Sequence, residues 1–101
     1  MIYVDAAIHP WRGKVWCHLF SEDIAALHDF AAKLGMRREW FQQPPKASWF
    51  HYDITAAKRA VALRLGAREA SHVETLVVAR RVMRQPLSPL LESAWMEEML
   101  A

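Results

Sequence analysis

Two segments of this sequence share one layout, in which an apolar stretch ends in Leu-Gly and a short charged segment follows. Leu34-Gly35 precedes Met36-Arg37-Arg38-Glu39, and Leu65-Gly66 precedes Ala67-Arg68-Glu69. Glycine directly after a helix readily adopts the left-handed conformation that closes the last turn. The sequence therefore predicts two similar helix-to-strand corners. Strands that alternate with helices favour an α/β fold in which helices pack on a short sheet.

Capping residues and apolar spacing predict the individual elements. The predicted strands are Ile2–Val4 and Val15–Phe20, with further extended segments at Met36–Gln42, Trp49–Tyr52 and Ala67–Ser71. The predicted helices run from the Ser21 cap to Leu34, from Ala56 to Leu65, from Glu74 to Gln85, and from the Ser88-Pro89 start to about Leu100. Residues 1–85 are thus predicted to form one α/β domain, a small sheet of short strands flanked by three helices. Residues 86–101 are predicted to form a C-terminal amphipathic helix.

The composition is that of an ordinary water-soluble globular domain. The chain has 101 residues, of which 53% are hydrophobic, and its net charge is only +2. This charge permits nucleic-acid binding without arguing for it. Cys17 is the single cysteine, so no intrachain disulfide can form, which fits a reducing compartment. The sequence contains no signal-peptide pattern and no apolar run near the ~20 residues that span a membrane. We therefore expect a cytoplasmic protein with no membrane association.

The stretch from Trp49 to Thr55 concentrates the chemically active side chains. His51, Tyr52 and Asp53 place an imidazole, a phenol and a carboxylate in consecutive positions. In an extended segment His51 and Asp53 point to one side and Tyr52 to the other. That spacing suits joint metal coordination, or a histidine oriented by a carboxylate.

We predict a site for a divalent metal ion or for acid–base chemistry around this stretch, because imidazoles and carboxylates are the ligands that such ions prefer. The predicted metal ligands are Asp5, His18, His28, His51 and Asp53, the catalytic residues are His18, His51 and Asp53, and the substrate-binding residues are Tyr52, Arg59, Trp40 and Gln42. A structural alternative remains open at this stage. In it, His28 is a hydrogen-bonded core residue, Asp5 closes a strand end, and Asp53 or Thr55 caps the second helix.

Several other site types are excluded or weaker. The three glycines, Gly13, Gly35 and Gly66, form no phosphate-binding loop. Cys17 and His18 are adjacent on a strand and face opposite sides, so they cannot act as a nucleophile and its base. Basic residues near aromatic ones are compatible with nucleic-acid binding; these are Arg37, Arg38, Lys46, Lys58, Arg59 and Arg64, near Trp40, Phe41 and Trp49. In the last helix Leu91, Trp95 and Met99 form an apolar stripe that predicts either packing on the domain or a homodimer.

An ordered set of short motifs resembles a known family. The motifs are Tyr3-Val4-Asp5, Trp16-Cys17-His18-Leu19, Leu27-His28-Asp29-Phe30-Ala31, Leu34-Gly35, Trp40-Phe41-Gln42, His51-Tyr52-Asp53, Lys58-Arg59 and Gly66-Ala67. Together they resemble a small bacterial and phage family catalogued as a domain of unknown function, DUF4031, over roughly residues 1–72. The loop Gln43–Ser48 and the tail from about Val73 lie outside the resemblance. The resemblance implies that Asp5, His18, His28, Gln42, His51, Tyr52 and Asp53 belong to the family pattern. It implies no activity.

Two functions follow as predictions. The first is a small hydrolase, metal-dependent or acid–base, that acts on a nucleotide or another phosphate-containing substrate. The second is a non-enzymatic module of bacterial or phage origin that binds nucleic acid or a protein.

Overall fold

A computed structural model describes all 101 residues as a five-stranded mixed sheet with four α-helices. The strands are β1 (Ile2–Val4), β2 (His9–Trp11), β3 (Lys14–Ser21), β4 (Tyr52–Thr55) and β5 (Arg68–Glu69); the helices are α1 (Ile24–Lys33), α2 (Ala56–Arg64), α3 (His72–Val82) and α4 (Pro89–Leu100). The predicted α/β fold, with three helices around a small sheet and a fourth at the C-terminus, is confirmed. No helix combines the length and the apolar character needed to cross a bilayer.

β3 is the strand around which the sheet is built. It pairs antiparallel with β1, β2 and β4, while β5 extends the sheet by pairing parallel with β1. Trp16 pairs with both His9 of β2 and Thr55 of β4, so β2 and β4 lie on opposite edges of β3. Within β3, Trp16 and Leu19 each pair with a strand on both sides.

The two faces of the sheet differ in how completely helices cover them. Cys17, Leu19 and Ile54 point to the face covered by α1 and α2, and all three are fully buried in the main core. This alternation follows from the two-residue period of a strand. Burial raises the pKa of the Cys17 thiol to about 12, so Cys17 acts as a small core residue.

The opposite face is covered only in part. Tyr3 and Phe20 stack with ring centres 5.4 Å apart, and they pack with Val78 of α3 and with Trp49. Beyond this small cluster, the middle of β3 and β4 has no helix above it, and its side chains are half-buried. That uncovered area is where the polar residues of the site lie.

Side-chain caps begin each helix. Asp23 caps α1 by accepting a hydrogen bond from Ala26, whereas the sequence predicted Ser21. The Ser21 hydroxyl instead donates to the Met1 carbonyl over 2.7 Å, because Ser21 is fully buried at the end of β3. Ser88 caps α4 as predicted.

The second helix is the important case for the site. Thr55 is its N-cap residue, and the Thr55 hydroxyl accepts a hydrogen bond from the backbone N–H of Lys58. Asp53, two residues earlier, lies within β4 and is therefore not required as a cap.

Two parts of the sheet differ from the sequence prediction. Met36–Gln42 is not a strand: Arg38–Trp40 forms a 3₁₀ turn, and only Gln42 makes an isolated bridge, to His51. The charged residues of this segment are exposed and have no sheet face to bury. β2 was not among the predicted strands; its Pro10 is tolerated because β2 is an edge strand, which can spare one backbone N–H donor.

The C-terminal helix packs against α3. Leu91 and Trp95 are half-buried, the Arg81 guanidinium of α3 lies 6.0 Å from the centre of the Trp95 ring, and Ser71 at the start of α3 donates a hydrogen bond to Glu98 over 2.6 Å. Met99, the third residue of the predicted stripe, is exposed. The homodimer through Leu91, Trp95 and Met99 stays a prediction, as does a cytoplasmic location.

Candidate metal centre

Strand pairing brings three of the predicted ligands together. His18 of β3 lies directly opposite Asp53 of β4, and His51 precedes Asp53 by two residues. All three side chains therefore leave the same face of the sheet. These three residues form a cluster, in which one ligand atom from each lies within 4.8 Å of the ligand atoms of the other two. The predicted arrangement, with His51 and Asp53 on one side and Tyr52 on the other, matches the structure.

The ring of His51 is held by backbone and by stacking. Its Nδ1 lies 3.1 Å from the Trp49 carbonyl oxygen, and its ring stacks on the Trp49 indole at 4.4 Å between centres. A carbonyl oxygen can only accept, so Nδ1 carries the hydrogen in the neutral ring. The Nε2 atom keeps its lone pair and lies 3.4 Å from Asp53 Oδ1. With 6% of His51 exposed, this orientation is well fixed.

Asp5 holds His18 in a similar way. The carboxylate accepts from the backbone N–H of His18 over 2.7 Å and contacts ring Nδ1 over 2.6 Å. A carboxylate hydrogen-bonded to one imidazole nitrogen leaves the other nitrogen as the metal-binding atom and fixes the ring. Asp5 therefore orients His18, which then offers Nε2.

The charges in the cluster are coupled. Burial acts to lower the pKa of His18, but the hydrogen bond and charge of Asp5, together with the charge of Asp53, outweigh it and raise that pKa. Burial acts to raise the pKa of Asp53, but a hydrogen bond from His51 and the charges of His51, His18 and His9 when these rings are protonated hold it below its ordinary value. Asp53 is consequently ionised at neutral pH.

The cluster has the chemical character of a cation site. Two imidazoles and one carboxylate have ligand atoms within 4.8 Å of one another, and the Nδ1 atom of each histidine contacts an acceptor. Two histidines and one carboxylate form a recurrent three-ligand set that leaves positions open for water or substrate. Zn²⁺, Mn²⁺, Fe²⁺ and Co²⁺ all accept such ligands.

His9 is a nearby residue that the sequence prediction missed. It pairs with Trp16 across the hairpin, which puts it on the same face as His18, and the two ring centres are 5.1 Å apart. Ligand atoms of His9, His18 and Asp5 also lie within 4.8 Å of one another. Treating Arg12-Gly13 as a two-residue hairpin turn, with positive φ at both positions, would have paired His9 with Trp16.

Two clefts meet at the cluster, and His9 and His18 line both of them. The first cleft has a volume of about 730 Å³, and its wall includes the predicted substrate residues Trp40 and Gln42, together with Asp53. The second has a volume of about 670 Å³ and lies on the side of α3. Its wall includes Asp5, Trp49, His72 and Arg80.

The structure does not bring His28 to the cluster, so its assignment as a ligand is corrected. His28 Nδ1 lies 2.8 Å from the Tyr52 hydroxyl, and its ring packs edge-on against Phe41. Tyr52 is buried in the main core, which lies on the other side of the sheet from the site. His28 lies on α1, and α1 covers the face of the sheet without the site. The core-histidine alternative holds for this residue.

Two predicted substrate-binding residues also have structural partners instead. Tyr52 is buried, and its hydroxyl is bound to His28, so it cannot reach a ligand. Arg59 donates from Nε to the Asp5 carbonyl oxygen over 2.6 Å and lies 3.5 Å from Glu69. It lines neither cleft. Its contact with the backbone of Asp5 makes it a support for the residue that orients His18.

Comparison with known proteins places the chain in one family. No curated protein and no solved structure shows a significant match. The model of a family described as a protein of unknown function, DUF4031, matches residues 2–82. The resemblance inferred from the motifs is thereby confirmed, and it extends through α3, beyond residue 72. The match includes every residue of the cluster, and this chain belongs to the family DUF4031.

Proposed function

We propose that His18, His51 and Asp53 bind a divalent transition-metal ion and that the protein is a metal-dependent hydrolase of phosphate esters. The observation that carries the proposal is the convergence of three electron-pair donors within 4.8 Å. Each histidine has its Nδ1 atom engaged by an acceptor, which directs Nε2 to the ion.

The surroundings favour an anionic substrate. The first cleft is lined by four basic side chains, Arg12, Lys14, Lys46 and Lys58, and by a single carboxylate, that of Asp53. Once Asp53 binds a cation, the whole cleft is positive. A phosphate group is the common anion that metal ions and basic side chains bind together.

The chemistry requires a nucleophile, charge neutralisation and proton transfer. A divalent ion held by His18, His51 and Asp53 would supply a water of lowered pKa and a positive charge that offsets the charge of the phosphate. Attack of a water oxygen on phosphorus would form one P–O bond while the bond from phosphorus to the leaving oxygen breaks. His9 is exposed beside His18, and we assign it the proton transfer. It accepts the proton of the attacking water, and the leaving oxygen takes its proton from solvent.

Metal binding is the first test. Titration of the chelator-treated protein with Co²⁺ and Zn²⁺, followed by calorimetry and by the visible absorption of Co²⁺, should give one ion per chain. His51→Ala and Asp53→Asn should lose this binding. His72→Ala, an exposed histidine outside the cluster, serves as the matched control and should bind like the wild type. Equal binding by all four proteins would refute the site.

Hydrolysis is the second test. The metal-loaded protein should cleave bis-p-nitrophenyl phosphate, and His9→Ala should lower kcat while leaving metal affinity within about twofold. If His9→Ala binds metal and turns over substrate as the wild type does, His9 takes no part in the proton transfer.

The second candidate function is a nucleic-acid-binding module without catalysis. Its support is a pair of exposed tryptophans, Trp11 and Trp40, beside the basic side chains of the first cleft. Binding of an oligonucleotide by a protein that neither takes up metal nor cleaves any phosphodiester would favour this candidate over the hydrolase.

A further inference from the structure

We infer that the first cleft binds single-stranded nucleic acid, with unpaired bases on its tryptophans and the phosphates along its basic side chains. The inference deepens the proposed hydrolase and rests on it for the position of the reacting phosphate. The binding itself needs only the cleft, so the two can be tested separately.

The first observation is the aromatic surface. Trp11, on the β2–β3 hairpin, is 57% exposed, and Trp40, on the 3₁₀ turn, is 44% exposed; both line the first cleft. Trp11 is not loose: Trp16 packs edge-on against it at 5.7 Å and donates from Nε1 to its carbonyl oxygen. A fixed indole that keeps much of its surface in water is suited to a flat aromatic ligand, and nucleic-acid bases stack on such platforms without regard to sequence.

The second observation is the unpaired positive charge. Arg12, Lys14 and Lys46 line the same cleft, and none of them takes part in an ion pair with a carboxylate of this chain. The Arg12 guanidinium lies 4.5 Å from the centre of the Trp11 ring. A base on the free side of Trp11 would therefore bring its phosphate into a region of positive charge. Alternating aromatic and basic groups are the usual features of single-strand grooves.

The third observation is continuity past the metal centre. The first and second clefts share His9 and His18, and Trp49 and Arg80 line the second. A chain that enters along the first cleft can therefore cross the cluster and continue toward α3. A mononucleotide would use one cleft only. A duplex keeps its bases paired and stacked, so its bases are not free to stack on Trp11 or Trp40.

The test is binding of a fluorescein-labelled oligothymidylate of roughly 12 nucleotides, a length within the usual site sizes, to the full chain in chelator. Fluorescence anisotropy should show binding that weakens steeply between about 50 and 200 mM salt. Lys14→Gln and Lys46→Gln should each lower the slope of log K against log salt by ~0.7, the value for one lost phosphate contact. Arg64→Gln, an exposed basic residue outside both clefts, is the matched control and should leave the slope unchanged.

Stacking is tested with Trp11. Trp11→Ala should weaken binding by about tenfold, whereas Trp11→Phe, which keeps an aromatic face, should recover most of it. A thermal melt of each variant separates lost stacking from a disordered hairpin. Three results would each overturn the inference: no binding of the oligonucleotide by the wild type, equal binding of a duplex of the same length, or equal loss in Lys14→Gln and Arg64→Gln.

The two proposals fail in different ways. Metal uptake without oligonucleotide binding keeps the hydrolase and removes the single-strand cleft. Oligonucleotide binding that weakens with salt and requires Trp11 and Lys14 supports single-strand binding in the first cleft. This holds even if neither the wild type nor His51→Ala takes up metal. In that case the cleft stands as a binding site and the hydrolase is withdrawn.

Discussion

Replacing Asp5 with asparagine should change the tautomer of His18 and weaken the metal site without removing any ligand from it. In the wild type, Asp5 accepts from both the backbone N–H and the ring Nδ1 of His18, over 2.7 and 2.6 Å. Asparagine has nearly the same shape but offers one acceptor and one donor. Its oxygen can keep the backbone hydrogen bond, and its NH₂ group then faces Nδ1. His18 would move its proton to Nε2, the atom that the metal needs.

Two magnitudes follow from this geometry. Loss of a group that orients a metal-bound histidine typically lowers metal affinity by about 10- to 100-fold. A buried hydrogen bond to a charged group is worth about 1.5–3 kcal/mol and a neutral one about 0.5–1.5 kcal/mol, and asparagine replaces both charged bonds with neutral ones. We therefore expect a free-energy loss of about 2 kcal/mol, which corresponds to a fall in Tm of roughly 8–16 °C for a domain of this size. The pKa of His18, which Asp5 helps to raise, should fall.

Imidazole ¹⁵N NMR at pH 8 reads the tautomer directly, and Zn²⁺ calorimetry reads the affinity. Asp29→Asn, an exposed aspartate on α1, is the control for a lost charge. A His18 ring that keeps its proton on Nδ1 in Asp5→Asn, together with unchanged Zn²⁺ affinity, would refute the assignment of Asp5 as the orienting residue. A large loss of stability with the tautomer unchanged would make Asp5 a purely structural residue.

Three further predictions concern the fold around the site. Cys17, whose pKa burial raises to about 12, should resist iodoacetamide at pH 8 in the native state and react fully in urea; fast native labelling would contradict its place in the core. Burial and the charge of Arg38 lower the pKa of His28, so the unfolded chain binds its proton first as the pH falls below about 6.5. The stability that His28 contributes should therefore shrink from pH 7 to pH 5. Urea titrations should show that the free energy of unfolding of the wild type exceeds that of His28→Gln by less at pH 5 than at pH 7. An excess that is the same at both pH values would contradict this prediction. Thr55→Ala should cost about 1 kcal/mol by loss of the α2 cap, while Thr55→Ser should restore it in thermal melts.

Local chemistry made much of this fold predictable from sequence. Helix α4 begins where Ser88 and Pro89 place it, and Gly35 and Gly66 have the positive φ angles that their positions after helices require. The two-residue period of an extended chain predicts His51 and Asp53 on one side of the sheet, and their ligand atoms do meet there. These features depend on residues within a few positions of one another, so a single sequence contains the information.

One missed feature is local and the other depends on packing across the domain. His9 enters the site because β2 folds back on β3 through the Arg12-Gly13 turn, a local signal that the sequence analysis did not use. His28 lies on α1 and was predicted as a ligand. Which side of the sheet α1 would cover is decided by packing across the domain, and it covers the side away from the site.

Asp53 could either cap α2 or act together with His18 and His51, and the fold leaves it available for the second role. A carboxylate just before a helix could cap it, but the cap is Thr55, the residue that directly precedes α2. Asp53 thus makes no hydrogen bond to the helix, and the Nε2 atoms of His18 and His51 are the nitrogens that their own partners leave unused. Strand pairing brings the three donors together, and a protonated imidazole attracts the Asp53 carboxylate, whereas three unprotonated donors held this close repel one another. A cation bound in place of those protons would also remove the repulsion and would stabilise the native state by mass action, so the proposed metal should raise the Tm of the wild type and not that of Asp53→Asn.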